Sequence, residues 1–293
     1  MKRLLMILGV VCLSLSSVMV RLSTAPSSVL VVYRVCFALL LLAPSLFLRH
    51  RAELRALPKR GWLLCAGSGF FLGLHFLIGF ESYRTTSIAA ATVLINTEVF
   101  FVALGSVLFL RQKLSRTAWL AMIWTFLGSV VVALAGTAAG STLSGSLLAV
   151  LAALFMTGYT VIGTVCRRTM TTTVYTFLVY LFAEGTVLAI VLLSGTPLLG
   201  YGPVNFLTAL VMAVFCTLLG HSVFSWGLKY LPPAFISTVK LLEPVFASVW
   251  AFWLFGERPG LPVLLGGGVV LLGIALYCRV TGETQNEKGP CDP

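Results

Sequence analysis

Apolar residues run along this chain in blocks too long for the elements of a soluble domain. They cover residues 4–20, 29–48, 61–80, 88–110, 117–136, 146–165, 174–193, 206–228, 234–255 and 261–279, and each gap holds charge, Pro, Gly or Ser. A helix rising 1.5 Å per residue needs about 20 apolar residues to cross a hydrocarbon core about 30 Å thick. The pattern therefore predicts ten transmembrane helices. No block alternates with a period of two, which excludes an outer-membrane-type barrel. Met1-Lys2-Arg3 ahead of Leu4 imitates the start of a signal peptide. No A-x-A-like site closes that run and further spans follow it, so it reads as the first span. The polar stretch from Thr281 to Pro293 is expected to be a disordered cytoplasmic tail.

Composition agrees with lipid as the main solvent. Hydrophobic residues make up 59% of the 293 and charged residues 10%, against about 25% charged in a soluble domain. The net charge of +11 raises the question of a nucleic-acid partner, and loop asymmetry answers it. With the N-terminus placed in the cytoplasm, fifteen of the 20 Lys and Arg fall inside and three (Arg21, Arg84, Arg258) outside, while Arg34 and Lys240 lie within spans. Lys and Arg resist translocation, so this bias predicts a multi-pass protein of the cytoplasmic membrane with both termini cytoplasmic and no nucleic-acid partner. The basic run from Arg49 to Arg60 adjoins lipid headgroups. Seven scattered cysteines without a CxxC read as small buried hydrophobes, not as disulfides or metal ligands, and no cofactor motif is present.

Sliding the chain along itself by 145 positions brings Glu98 onto Glu243, Gly128 onto Gly273, Ala89 onto Ala234 and Phe101 onto Phe246. Arg84 meets Lys229, and Gln112-Lys113 meets Glu257-Arg258. The spans superpose five on five. Because five is odd, the second half sits upside down relative to the first. The expected fold is thus all-α and membrane-integral, with ten helices forming two inverted five-helix repeats at 1–140 and 141–280 and the tail at 281–293. Inverted repeats recur in carriers, whose substrate sites lie between the halves near the midplane.

Charged groups at mid-depth are costly unless paired or watered, so each is a candidate for function. Glu98 and Glu243 fall near the centres of their spans, Asn96 lies two residues before Glu98, and Lys240 lies three before Glu243, at a spacing suited to an i, i+3 pair. His75 and His221 fall about 15 Å deep, near the glutamates, as two His–Glu couples suited to protons or to a substrate. Pro244 removes a backbone donor beside Glu243 and predicts a kink that frees a carbonyl. The candidate substrate cavity is therefore Glu98, Asn96, Glu243, Lys240, His75 and His221, with Pro244 as the kink. Glu184, mid-span, is expected to hydrogen-bond a neighbouring helix. Arg34, close to an outer end, is expected to snorkel as an anchor. Glu81 and Arg84 look interfacial. Gly69 and Gly73 form GxxxG and read as helix packing, not as a nucleotide loop.

Lys229-Tyr230-Leu231-Pro232-Pro233-Ala234, Leu241-Leu242-Glu243-Pro244-Val245-Phe246, Leu254-Phe255-Gly256-Glu257-Arg258 and the glycine helix Gly266 to Gly273 together resemble the drug/metabolite transporter superfamily, in particular its EamA-type ten-helix carriers. The first half carries a worn copy, with Val99 where the family often has proline and Gln112-Lys113 where it often has Glu-Arg or Glu-Lys. The resemblance implies alternating access around a central cavity and a small-molecule substrate such as an amino acid, amine or drug, frequently exported. The missing proline argues against a matched kink in the first half. Proton coupling is expected if a histidine titrates, and monomer and homodimer both stay open. The competing classes are an intramembrane enzyme and a membrane-embedded partner or sensor subunit. The chain has no G-x-x-x-x-G-K-[ST], H-E-x-x-H or G-x-S-x-G, so a non-enzymatic secondary carrier is the expected function.

Overall fold

The computed structural model describes residues 2–110, 115–121, 123–124, 127–128, 131, 142–230, 236, 239–240 and 242–286. Among them every regular element is helical. In chain order these are α1 (Lys2–Leu22), α2 (Ser27–Arg49), the short α3 (Arg51–Ala56), α4 (Lys59–Thr85), α5 (Ile88–Ile95), α6 (Glu98–Leu110), α7 (Leu143–Cys166), α8 (Thr172–Leu193) and α9 (Pro203–Val211). A π-helical stretch, Met212–His221, then leads into α10 (Ser222–Gly227), followed by α11 (Glu243–Phe255) and α12 (Leu261–Asn286). Seven stretches are long and apolar enough to cross a membrane, and two shorter apolar helices, Glu243–Phe255 and Leu261–Gly273, follow them. The fifth expected span falls largely outside the described residues. Its described part is helical at 116–121, and Gly128 lies close against Gly266 and Val270 of α12. Gln112-Lys113, the 231–235 turn and residues 287–293 also lie outside the described residues. The tail expected from Thr281 is corrected for its first part: α12 continues to Asn286, since no proline stops its hydrogen-bond ladder before Pro290.

Helix starts follow the sequence. Ser87, Thr142 and Thr171 each accept a hydrogen bond from the backbone N–H three residues on, capping α5, α7 and α8. Thr171 is clamped in turn by Glu53 of α3, whose carboxylate accepts from the Thr171 N–H and hydroxyl at 2.7 Å each. Large apolar side chains such as Leu48, Leu193, Trp253 and Leu272 face outward, which is stable only where the surroundings are hydrocarbon.

The helices pack in an exchangeable pattern. The third span, α4, lies on α7 and α8, while its counterpart, the α9–π–α10 rod, lies on α1 and α2. Helix α2 meets α8, and α5 meets α11. Such an exchange is what a two-fold axis between two like halves produces. The small-residue face of α4 sets its closest approach: a Cβ on Gly69 would sit 2.6 Å from the Val179 carbonyl and 2.5 Å from Phe182 Cβ, and one on Gly73 would sit 2.9 Å from the Ala183 carbonyl. Close backbone approach replaces the hydrophobic drive that lipid cannot supply.

Gly69→Ala should therefore lower the thermal midpoint of the purified protein, by overpacking worth about 1–3 kcal/mol. Gly185→Ala on the same pair of helices, where a Cβ meets open space, serves as the control. Equal midpoints for the two variants would contradict the close α4–α8 contact.

Candidate functional site

Both central glutamates begin a helix inside the membrane-spanning region. In the first half α5 stops at Ile95 and α6 starts at Glu98. Across Asn96-Thr97 the ladder tightens to three-residue steps, with Thr97 N to Leu94 O at 3.1 Å and Phe100 N to Thr97 O at 2.9 Å. Asn96 Nδ2 donates to Thr92 O at 2.9 Å and Thr97 Oγ1 to Leu94 O at 2.6 Å, adding side-chain donors to carbonyls that the Asn96 and Thr97 N–H groups also reach. In the second half Leu242 forms the turn, and Glu243-Pro244 open α11. Proline fits there because a first-turn N–H has no intrahelical partner to lose. The expected absence of a matched kink in the first half is thus corrected: Asn96 and Thr97 break that helix without proline. Each carboxylate sits at the positive end of a helix dipole.

Lys240 and Glu243 do not form the expected i, i+3 pair, because the turn at Leu242 removes their common helical face. Lys240 Nζ instead lies 2.5 Å from Glu98 Oε1, with both side chains almost wholly buried. Glu243 Oε2 accepts from Asn96 Nδ2 at 3.4 Å. Each glutamate is therefore held by a polar side chain of the opposite half.

All six expected residues, Glu98, Asn96, Glu243, Lys240, His75 and His221, line one cavity of about 440 Å³, open side included, together with Arg34, Phe76, Phe80 and Tyr83. The histidines do not form the expected couples with the glutamates. His75 Nδ1 bonds the Ala152 carbonyl at 2.9 Å, and its ring stands 6.3 Å from that of His221. A second cavity, of about 300 Å³, shares Glu98, Lys240 and His221 with the first and continues past Tyr159 and Ser225 to Leu228. Helices α4 and α7 run antiparallel, with Thr85 beside Thr142 and Ser68 beside Tyr159. Tyr83 and Tyr159 consequently lie on opposite sides of mid-depth, and the Lys240–Glu98 pair lines both chambers.

Arg34 corrects its expected role as a snorkelling anchor. It is 1% exposed and lines the first cavity. Its Nε donates to Thr217 Oγ1 at 2.6 Å and its Nη1 to Ser16 Oγ at 3.1 Å. Thr217 belongs to the π-helical stretch, which nothing in the sequence pattern predicts. Among the described residues one buried carboxylate oxygen of Glu184 has no hydrogen-bond partner, so it does not make the expected bond to a neighbouring helix. Glu81 and Arg84 stand at a stitched rim: Ser27 Oγ donates to Glu81 at 2.7 Å, Arg84 donates to the Ala25 carbonyl at 2.7 Å, and Arg21 lies 3.6 Å from Glu257. Among the described residues no three His, Cys, Asp or Glu side chains converge as a metal site requires.

The sequence model of the EamA-like transporter family matches residues 2–134 and again 143–279. The chain belongs to that family. Curated relatives of this EamA-like protein include an uncharacterized transporter of Archaeoglobus fulgidus, 24% identical over 210 residues, with 69% of this chain and 71% of that one covered. Another is the uncharacterized transporter YxxF of Bacillus subtilis, 27% identical over 221 residues, with 74% and 70% covered. A solved crystal structure superposes with a TM-score of 0.69 at 15% identity, covering 97% of this chain and 98% of that one. It establishes the shared fold. The EamA-like protein is thus a multi-pass, all-helical membrane transporter, and the double family match falls on the two halves that pack as equivalents.

Removing one member of the Lys240–Glu98 pair leaves the other charge buried and alone, at a cost of about 3–5 kcal/mol. Lys240→Met and Glu98→Gln should each lower the thermal midpoint, and the double variant should regain much of the loss. Additive losses in the double-mutant cycle would mean that the pair does not couple the halves.

Proposed function

We propose that this protein is a secondary transporter that exports a small metabolite (an amino acid, amine or drug-like compound) across the cytoplasmic membrane by alternating access. The observation that carries this reading is the buried ion pair between opposite halves, which lines two adjoining cavities. Residues 1–140 and 141–280 act as two inverted units. When they rock, one chamber widens as the other closes, and Glu98 and Lys240 exchange partners with the substrate. A solid membrane-embedded partner subunit has no use for two chambers that meet at a charge pair, and mid-depth charges are too costly to retain without a task. Glu98, Asn96, Glu243, Lys240, His75 and His221 form the substrate site, and the break at Pro244 supplies the hinge-side backbone. His75 and His221 carry the coupling proton, and both termini are cytoplasmic. The protein works as a monomer or homodimer, without catalysis.

Glu98→Gln and Glu243→Gln should cut substrate flux in proteoliposomes at least about tenfold, the loss expected from weakening one charge-assisted contact by about 1.4 kcal/mol or more, while each variant still purifies as folded protein. Wild-type flux from both would remove the site assignment. An imposed pH gradient should drive accumulation, and flux indifferent to the gradient would end the proton-coupling reading while leaving the carrier class standing.

A further inference from the structure

The cavity holds four charged side chains: Arg34, Lys240, Glu98 and Glu243. Two of them neutralise each other, since Lys240 and Glu98 meet at 2.5 Å. The other two do not. Among the described residues Arg34 has no carboxylate within ion-pairing distance, and Glu243 has no cation, only the Asn96 amide at 3.4 Å.

Arg34 is also incompletely satisfied. Thr217 and Ser16 hold its Nε and Nη1, and its guanidinium carbon lies 4.3 Å from the Phe76 ring centroid and 5.5 Å from that of Phe80. These contacts fix the plane of the fork. Among the described residues its buried Nη2 has no hydrogen-bond partner. Arg167, also fully buried, provides the contrast. All three of its nitrogens donate, to the Ser225 and Met170 carbonyls and to Thr172 Oγ1. Burying an arginine in this bundle therefore does not force a donor to stand idle. An unmatched donor on a fixed cation at membrane depth is expensive, and it matches the acceptor geometry of a planar carboxylate.

Resting on the transport reading of the same cavity, we propose that Arg34 is a carboxylate-binding subsite and Glu243 its ammonium-binding complement, so that the substrate is a zwitterion carrying both groups. The carboxylate completes the hydrogen bonding of Arg34 Nη2 against Phe76 and Phe80. The ammonium takes the free acceptor capacity of Glu243, and the bound zwitterion adds no net charge to the cavity. Ser16 and Thr217 are positioning residues that aim the fork.

The test uses purified full-length protein in lipid nanodiscs and thermal unfolding with the standard L-amino acids as probes. Each amino acid that raises the midpoint is retested as its primary amide, which lacks the carboxylate, and as its deaminated acid, which lacks the ammonium. At least one amino acid should bind, and both truncated forms should bind at least about thirtyfold more weakly, the loss expected when one partner of a buried charge contact is removed. Arg34→Gln should abolish the preference for the amino acid over its amide, and Arg34→Lys should restore part of it. The proposal is overturned if no amino acid raises the midpoint, if the amide binds as well as its parent, or if folded Arg34→Gln binds the amino acid as the wild type does. Should Arg34→Gln fail to fold, the wild-type comparison of parent with amide decides alone. Counterflow in proteoliposomes separates this proposal from the transport reading. A zwitterion bound but never moved would end transport and leave the subsite. An amino acid moved equally by wild type and Arg34→Gln would keep transport and end the subsite.

Discussion

A lysine and a glutamate that meet at 2.5 Å, each nearly sealed from solvent, organise the rest of this molecule. Taking two ions out of water costs several kcal/mol apiece, and their attraction offsets that cost only when geometry is close and the remaining lone pairs are satisfied. The bundle meets that requirement by bringing together two chain segments that lie far apart in sequence. Neither glutamate is paired with a lysine of its own half among the described residues: Glu98 has none in its helix, and the turn at Leu242 parts Lys240 from Glu243. The halves are therefore tied at mid-bundle by electrostatics, while elsewhere they meet through small residues such as Gly69 and Gly73 that contribute dispersion and close approach.

This arrangement also explains why the helices break where they do. A regular α-helix through residues 88–110 would undo the three-residue steps at Asn96-Thr97 and turn Glu98 away from the partner half. Breaking it places Glu98 at a fresh helix N-terminus, where the dipole favours its charge. Asn96 and Thr97 add side-chain hydrogen bonds to carbonyls of the preceding turn. In the second half Pro244 does similar work by a different route, since a proline at the start of a helix sacrifices no hydrogen bond. Two dissimilar local sequences thus arrive at one geometry.

The spans were legible because lipid imposes a length, and an unbroken run of about 20 apolar residues matches that length. Most of the cavity wall was legible because charge at mid-depth is rare and conspicuous, which singled out Glu98, Glu243 and Lys240. Arg34 escaped for a definite reason. Its distance along α2 from Ser27 is short enough for a snorkelling side chain, and linear spacing does not reveal that Ser16 and Thr217 stand ready to receive it. The pairing of Lys240 escaped because an i, i+3 rule presumes an unbroken helix, and the break lies between the two residues. The π-helical stretch left no mark at all: Met212–His221 reads as an ordinary apolar run.

That π-helical stretch links the breaks to the charges. In it the Thr217 hydroxyl donates to the Met212 carbonyl, five residues back, at 3.2 Å, and also receives Arg34 Nε. The Thr217 carbonyl is meanwhile met by Tyr180 of α8 and by Ser222. A regular α-helix would rotate every residue after the wide turn by a large fraction of a turn and would move His221, which lines both cavities, off the wall. The widened turn therefore fixes two features at once, the aim of the Arg34 fork and the position of an imidazole beside the Lys240–Glu98 partition. Straightening it would disturb the cation in one chamber and the boundary of the other together, which couples the two ends of the cavity through a single segment of backbone.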